Sequence, residues 1–158
     1  LLPILFSLLA LNGCASHYKD HKSNSRIPNE GMIHIKSAHS VSITTDKLES
    51  ALLKKKVTVF NRIDHATGAK KVGQSLRPTE LIIFGNPNIG TVLMRCVQSV
   101  AIDLPQKMLI WEDSSGDVWL SYNHPRYLAE RHRMNNCREP LKKVAGALKN
   151  FAVLVTRP

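Results

Sequence analysis

Met108-Leu109-Ile110-Trp111 and Val118-Trp119-Leu120-Ser121-Tyr122 flank the polar stretch Asp113-Ser114-Ser115-Gly116-Asp117. Two runs rich in β-branched and aromatic residues, joined by a short Gly-containing loop, predict a β-hairpin. Upstream, Leu81-Ile82-Ile83-Phe84 is continuously apolar, as a strand buried on both faces would be. Val57-Thr58-Val59-Phe60 reads as another strand, and Met32-Ile33-His34-Ile35-Lys36 alternates like a half-buried one. Helical spacing separates these runs. Thr45-Asp46 can open a helix through Leu48, Ala51 and Leu52, which Lys54-Lys55-Lys56 closes with positive charge at its C-terminal end. A short helical piece is expected over Ala66–Val72, bounded by Gly73 and Pro78. Thr91 can cap a helix with Val92, Leu93, Cys96, Val97 and Val100 on its apolar side. Pro125 can start a short helix through His132. Leu141, Val144, Ala145, Leu148, Phe151, Ala152 and Val155 form a long amphipathic stripe, with Pro140 in its first turn. No internal repeat or second-domain boundary appears, so residues 31–158 are expected to form one domain.

The N-terminal residues carry an address. Residues 1–10 hold no charge and lead into Leu11-Asn12-Gly13-Cys14. An apolar run ending in small residues is the pattern of an export signal. A Leu three before the Cys and a Gly just before it resemble a bacterial lipobox. That resemblance implies a signal over residues 1–13 whose start lies upstream of residue 1, cleavage after Gly13, and diacylglycerol on the Cys14 sulfur. The run is shorter than the roughly 20 apolar residues a bilayer span needs. Residues 15–30 are polar and aperiodic, so 14–30 reads as a lipidated Cys and a tether reaching at most about 50 Å. Ala15 after the Cys resembles the outer-membrane sorting class. The expected location is therefore the bacterial envelope, lipid-anchored, at the outer membrane facing the periplasm.

The formal net charge of +10 favours anionic partners: lipid headgroups, acidic envelope polymers or nucleic acid. After export nucleic acid is the least available. Lys54-Lys55-Lys56 and Lys70-Lys71 also lack the interleaved aromatics on which single strands stack. No nucleic-acid partner is expected.

With Cys14 assigned to lipid, Cys96 and Cys137 remain in a compartment that permits disulfides, and a bridge between them is one reading. Two buried thiols are the other, and the position of Cys96 on an apolar helical face argues for its burial. Gly85-Asn86-Pro87-Asn88-Ile89-Gly90-Thr91 sits between a strand and a helix, the context of a phosphate-cradling loop. It lacks the Lys that reaches the outer phosphates, which excludes nucleotide hydrolysis and leaves a weaker anion loop at Gly85, Gly90 and Thr91, beside a plain structural turn. There is no Cys-x2-Cys pair, no paired His spacing within a domain helix and no Gly-x-Ser-x-Gly elbow. No metal and no cofactor are expected.

Three further blocks carry a family resemblance. They are Val59-Phe60-Asn61-Arg62-Ile63-Asp64-His65-Ala66, then Leu76-Arg77-Pro78-Thr79-Glu80-Leu81-Ile82-Ile83-Phe84-Gly85-Asn86-Pro87, then Ile102-Asp103-Leu104-Pro105 with Trp111-Glu112-Asp113, Val118 to Asn123 and Arg131-His132. Together they resemble the domain of unknown function 302 family over about residues 31–155. The resemblance implies an α+β fold: an antiparallel sheet with helices packed on one face, in a TATA-box-binding-protein-like β-α-β(n)-α order. It implies no reaction. The family's polar signature falls on His65, Asn86, Asp103, Tyr122 and His132, and these are expected to gather into one ligand cluster beside the Gly85–Thr91 loop. One departure is visible: the family has Gly where this chain has Lys56. The expected function is a noncatalytic module, tethered by lipid, that holds a small anionic ligand or an envelope protein. The competing reading is an enzyme or metal-handling domain that uses the His/Asp/Tyr cluster. The first is preferred because no nucleophile–base or metal-ligand spacing is present.

Overall fold

The computed structural model describes residues 31–158. The expected signal, Cys14 and the expected tether lie outside the described residues. The elements run β1 (Met32–Lys36), α1 (Val41–Lys54), β2 (Thr58–Asp64), α2 (His65–Lys71), β3 (Thr79–Gly85), α3 (Pro87–Cys96), a 3-10 turn (Gln98–Asp103), β4 (Gln106–Glu112), β5 (Val118–Asn123), α4 (Pro125–Arg131) and α5 (Arg138–Thr156). The five strands form one sheet in the order β1-β5-β4-β3-β2, with every neighbouring pair antiparallel. The fold is α+β, as expected.

Consecutive strands β1 and β2 occupy opposite edges, so α1 must carry the chain across the whole sheet. Its 14 residues at 1.5 Å each span about 21 Å. Four inter-strand steps of about 4.8 Å come to a similar distance. The helix starts earlier than the Thr45-Asp46 reading placed it. Ser40 is the cap, its Oγ accepting from the Ile43 N–H at 3.3 Å. Thr44 and Thr45 are buried instead, and their hydroxyls donate to the carbonyls of Ser40 (2.9 Å) and Val41 (2.8 Å). A threonine that bonds back one turn satisfies its hydroxyl inside a helix and needs no cap role.

Val41, Leu48 and Leu52 of α1 and Leu148, Ala152 and Val155 of α5 pack with Ile82, Met108, Ile110 and Leu120 of the sheet in one core. In β3 only Glu80, Ile82 and Phe84 are buried, alternating with half-buried Leu81 and Ile83. The continuous apolar run is therefore buried on one face, which corrects the two-face expectation. Its antiparallel neighbours β2 and β4 supply the reason: such sheets need only one covered face.

The β4–β5 loop is organised by one carboxylate. Asp113 accepts from the Trp119 indole N–H (2.8 Å) and from the amides of Ser115 (2.9 Å) and Asp117 (3.0 Å). The indole first, then the loop amides, hold its carboxyl below the usual range. Lys56 closes α1 with φ 55°, the left-handed conformation that glycine adopts without strain. Lys56→Gly is expected to raise the unfolding free energy by up to about 1 kcal/mol. A urea titration checks this, and a loss of stability would show that the lysine side chain contributes more than its backbone costs.

Candidate functional site

The strand registers decide which expected residues can meet. Gln106 opens β4 opposite Phe84, Gly85 ends β3 opposite Thr58, and Asn123 ends β5 opposite Met32. Asn86, Asp103 and Tyr122 thus lie at one end of the sheet. His65 follows Asp64, which pairs with Glu80 at the start of β3, so it lies at the opposite end and is exposed. The five-residue cluster does not form. Tyr122 is also withdrawn from it: its ring is buried in the core, and burial pushes its phenol upward in pKa.

Two of the five do meet. His132 Nε2 and Asp103 Oδ2 stand 2.6 Å apart, with side chains only 6% and 12% exposed. Ser99 Oγ lies 3.0 Å from His132 Nδ1, and an Arg131 guanidinium N–H donates to Asp103 Oδ1 at 3.4 Å. A neutral imidazole protonated on Nε2 would donate to the carboxylate and accept the Ser99 hydroxyl proton on Nδ1. The Cys96–Cys137 disulfide joins the same two segments, with Cα atoms 6.2 Å apart. Cys137 is buried, whereas Cys96 is exposed, contrary to the reading from its helical face. Disulfide and Asp103–His132 pair together clasp residues 96–103 onto the connection between α4 and α5. Ser99 escaped the sequence reading because no elbow motif marks it.

The Gly85–Thr91 segment is not an open loop. Pro87, with its φ preset and no N–H to leave orphaned, starts α3 four residues before Thr91. Asn86 caps it: its Oδ1 accepts from the Asn88 N–H at 3.0 Å, and its carbonyl accepts from Ile89 (3.0 Å) and Gly90 (2.9 Å). Thr91 and Val92 lie past the first four amides, so theirs bond within the helix. The amides that an anion would need are already used. Among the described residues, no group of three His, Cys, Asp or Glu could hold a metal.

What these residues border is an apolar cavity of about 360 Å³. Gly85, Asn86, Gly90 and Thr91 form one side. Phe84, Leu93, Met94, Leu104, Leu148 and Phe151 are among the remaining wall residues. No charged side chain lines it. Gln106 does, on the same sheet face as its cross-strand neighbour Phe84, and its Nε2 is buried without a hydrogen-bond partner. No other side-chain nitrogen or oxygen among the described residues shares that condition. The cavity could not be foreseen, because each of its apolar residues reads individually as core.

Comparison with known proteins gives three findings. The family model described as "Domain of unknown function DUF302" matches residues 33–151. Curated relatives include "Fluoride-specific ion channel FluC 1" of Brucella suis biovar 1 (strain 1330), 46% identical over 108 residues, which are 68% of this chain and 42% of that protein. "Fluoride-specific ion channel FluC 2" of Brucella melitensis biotype 1 (strain ATCC 23456 / CCUG 17765 / NCTC 10094 / 16M) matches with 46% identity over 108 residues, 68% of this chain and 40% of that protein. The chain thus spans about two fifths of the length of these curated relatives. The crystal structure of an uncharacterized conserved DUF302 protein from Bacillus stearothermophilus superposes with TM-score 0.72 at 14% identity, covering 79% of this chain and 98% of that one. That likeness shows the fold.

Proposed function

Because this chain belongs to the DUF302 family, a domain defined without a reaction, we propose that it is a noncatalytic ligand-binding module, tethered by lipid to the bacterial envelope, with its ligand in the apolar cavity. The cavity carries the reading. Its volume of about 360 Å³ falls in the range of small-molecule sites, as does its mostly apolar wall with a few polar groups. This shifts the expected ligand from an anion to a small, mainly apolar molecule. The proteins named as fluoride channels carry a matching stretch within a longer polypeptide, which supports an accessory role beside a membrane protein. No described helix is long and apolar enough to cross a membrane.

Gly90 offers a test that separates binding from folding. A Cβ built there meets only Leu104 Cδ1, at 4.0 Å. Gly90→Leu should fill the cavity from the α3 side while removing a helical glycine that costs about 1 kcal/mol relative to alanine. Its melting temperature is expected to hold or rise, and stabilisation by added apolar compounds to disappear. Retained stabilisation would place the ligand elsewhere. The tether is tested separately: Cys14→Ser should abolish incorporation of labelled fatty acid and release the protein from membranes, since each buried acyl methylene contributes about 0.8 kcal/mol.

The Ser99–His132–Asp103 chain favours a second reading, an acyl-transfer enzyme with Ser99 as nucleophile. A fluorophosphonate probe that labels wild type and not Ser99→Ala would support it. A protein left unlabelled keeps the noncatalytic reading.

A further inference from the structure

We propose that the cavity holds the alkyl tail of a medium-chain fatty acid whose carboxylate stays outside it, against Lys54 and Lys55. This rests on the cavity reading above and adds the ligand's chemistry. Phe151 of α5 lines the cavity and also lines a second groove, between α1 and α5. The two spaces therefore adjoin. Ile43 and Leu154, 51% and 63% exposed, give the groove apolar surface, and Asp46, Lys47, Lys54 and Lys55 give it charge. That charge is unbalanced. Asp46 is held by Arg62 at 2.6 Å, and Lys47 donates to the Arg157 carbonyl at 3.1 Å. Lys54 and Lys55 are exposed, and neither forms an ion pair among the described residues. Lys55 precedes the cavity residue Val57 by two positions, so their Cα atoms are at most about 7.6 Å apart. Lys107, another cation beside the cavity wall, already donates to the carbonyls of Asp103 and Pro105. No charged side chain lines the cavity itself, so a carboxylate drawn inside would lose its hydration without gaining a cation. An amphiphile resolves this by leaving its head at the lysines and burying only its tail. At about 30 Å³ per water-sized group, 360 Å³ admits about a dozen chain groups. The flexible Met94 in the wall suits a bending alkyl chain.

The test uses three probes with the same chain on the purified protein at low salt: decanoate, 1-decanol and decyltrimethylammonium, with dissociation constants from NMR titration. Decanoate is expected to bind tightest, 1-decanol about two- to five-fold weaker, the range of an exposed ion pair, and the cation weakest. High salt should close most of the gap between decanoate and 1-decanol. In Lys54→Gln/Lys55→Gln the preference for decanoate should vanish. In Lys142→Gln/Lys143→Gln it should persist, because that variant removes the same charge from exposed positions outside the groove. Gly90→Leu should weaken all three probes. Equal binding of decanoate and 1-decanol to wild type would overturn the inference and leave the cavity reading standing. So would a preference that survives in Lys54→Gln/Lys55→Gln, or one lost equally in the Lys142→Gln/Lys143→Gln control. Undiminished binding to Gly90→Leu, or failure of all three probes to bind wild type, would remove the cavity reading and this one with it.

Discussion

Removing the Cys96–Cys137 bridge is expected to lower the unfolding free energy by about 4 kcal/mol. The two cysteines are 41 residues apart, and a loop of that length, closed in the unfolded chain, restricts it by roughly that amount in the chain-entropy model. Total stabilities of about 5–15 kcal/mol make this a decisive fraction. The double variant Cys96→Ala/Cys137→Ala is the better probe, because a serine at buried position 137 would add an unpaired hydroxyl. Urea titration of wild type, reduced wild type and the variant should give matching losses for the last two. Unchanged stability on reduction would show that the bridge does not hold the domain. A second effect should follow. Leu104, a cavity wall residue, succeeds the bridged segment, so apolar probes should bind the reduced protein more weakly than the oxidised one.

Arg62→Met is expected to cost about 3 kcal/mol. The Arg62 guanidinium donates to Glu80 Oε2 (2.6 Å), Asp46 Oδ1 (2.6 Å) and Glu49 Oε2 (3.2 Å), tying β2 to both β3 and α1. Glu80 above all, with Asp46 and Glu49, holds the guanidinium proton well above its ordinary range. The Glu80 side chain is only 11% exposed. Without its partner it becomes a nearly buried, uncompensated charge, which typically costs about 3–5 kcal/mol. Arg62→Lys should also lose most of this, since an ammonium cannot reproduce the forked geometry. Adding Glu80→Gln to Arg62→Met should recover part of the loss, measured as a double-mutant cycle. Full additivity of the two changes would show that the pair is not coupled.

The hub explains one sequence-level shortfall. β2 reads as a strand only to Phe60, yet it continues through a register shift between Val59 and Asn61 to Asp64. What extends it is Arg62 engaging carboxylates on α1 and β3, partners that no local pattern reveals. The hairpin and the α5 stripe were legible because their signals are local: a Gly-containing loop between β-prone runs, and apolar residues at helical spacing. α3 was misplaced because Thr91 offers a cap, while the earlier Asn86-Pro87 pair offers a better one. Asp103 and His132 could be paired only through the family resemblance, since 29 residues separate them. The resemblance also drew in His65 and Tyr122, which the sheet register sends to the far end and to the core. Gln106 gave no signal at all, because an orphaned donor is created by packing and not by composition.

The chain comes into the sheet at Met32, opposite Asn123, with the Gly31 carbonyl accepting from the His124 N–H at 2.7 Å. That is the same end of the sheet as Gln106, which lines the cavity two strands away, or about 10 Å across. If the protein is moored through Cys14, the mooring line attaches on the side where the cavity lies. The cavity would then hover over the lipid surface rather than point away from it. A sparingly water-soluble guest could partition between bilayer and protein over a short path, with the length of residues 15–30 setting how far from the leaflet it is carried.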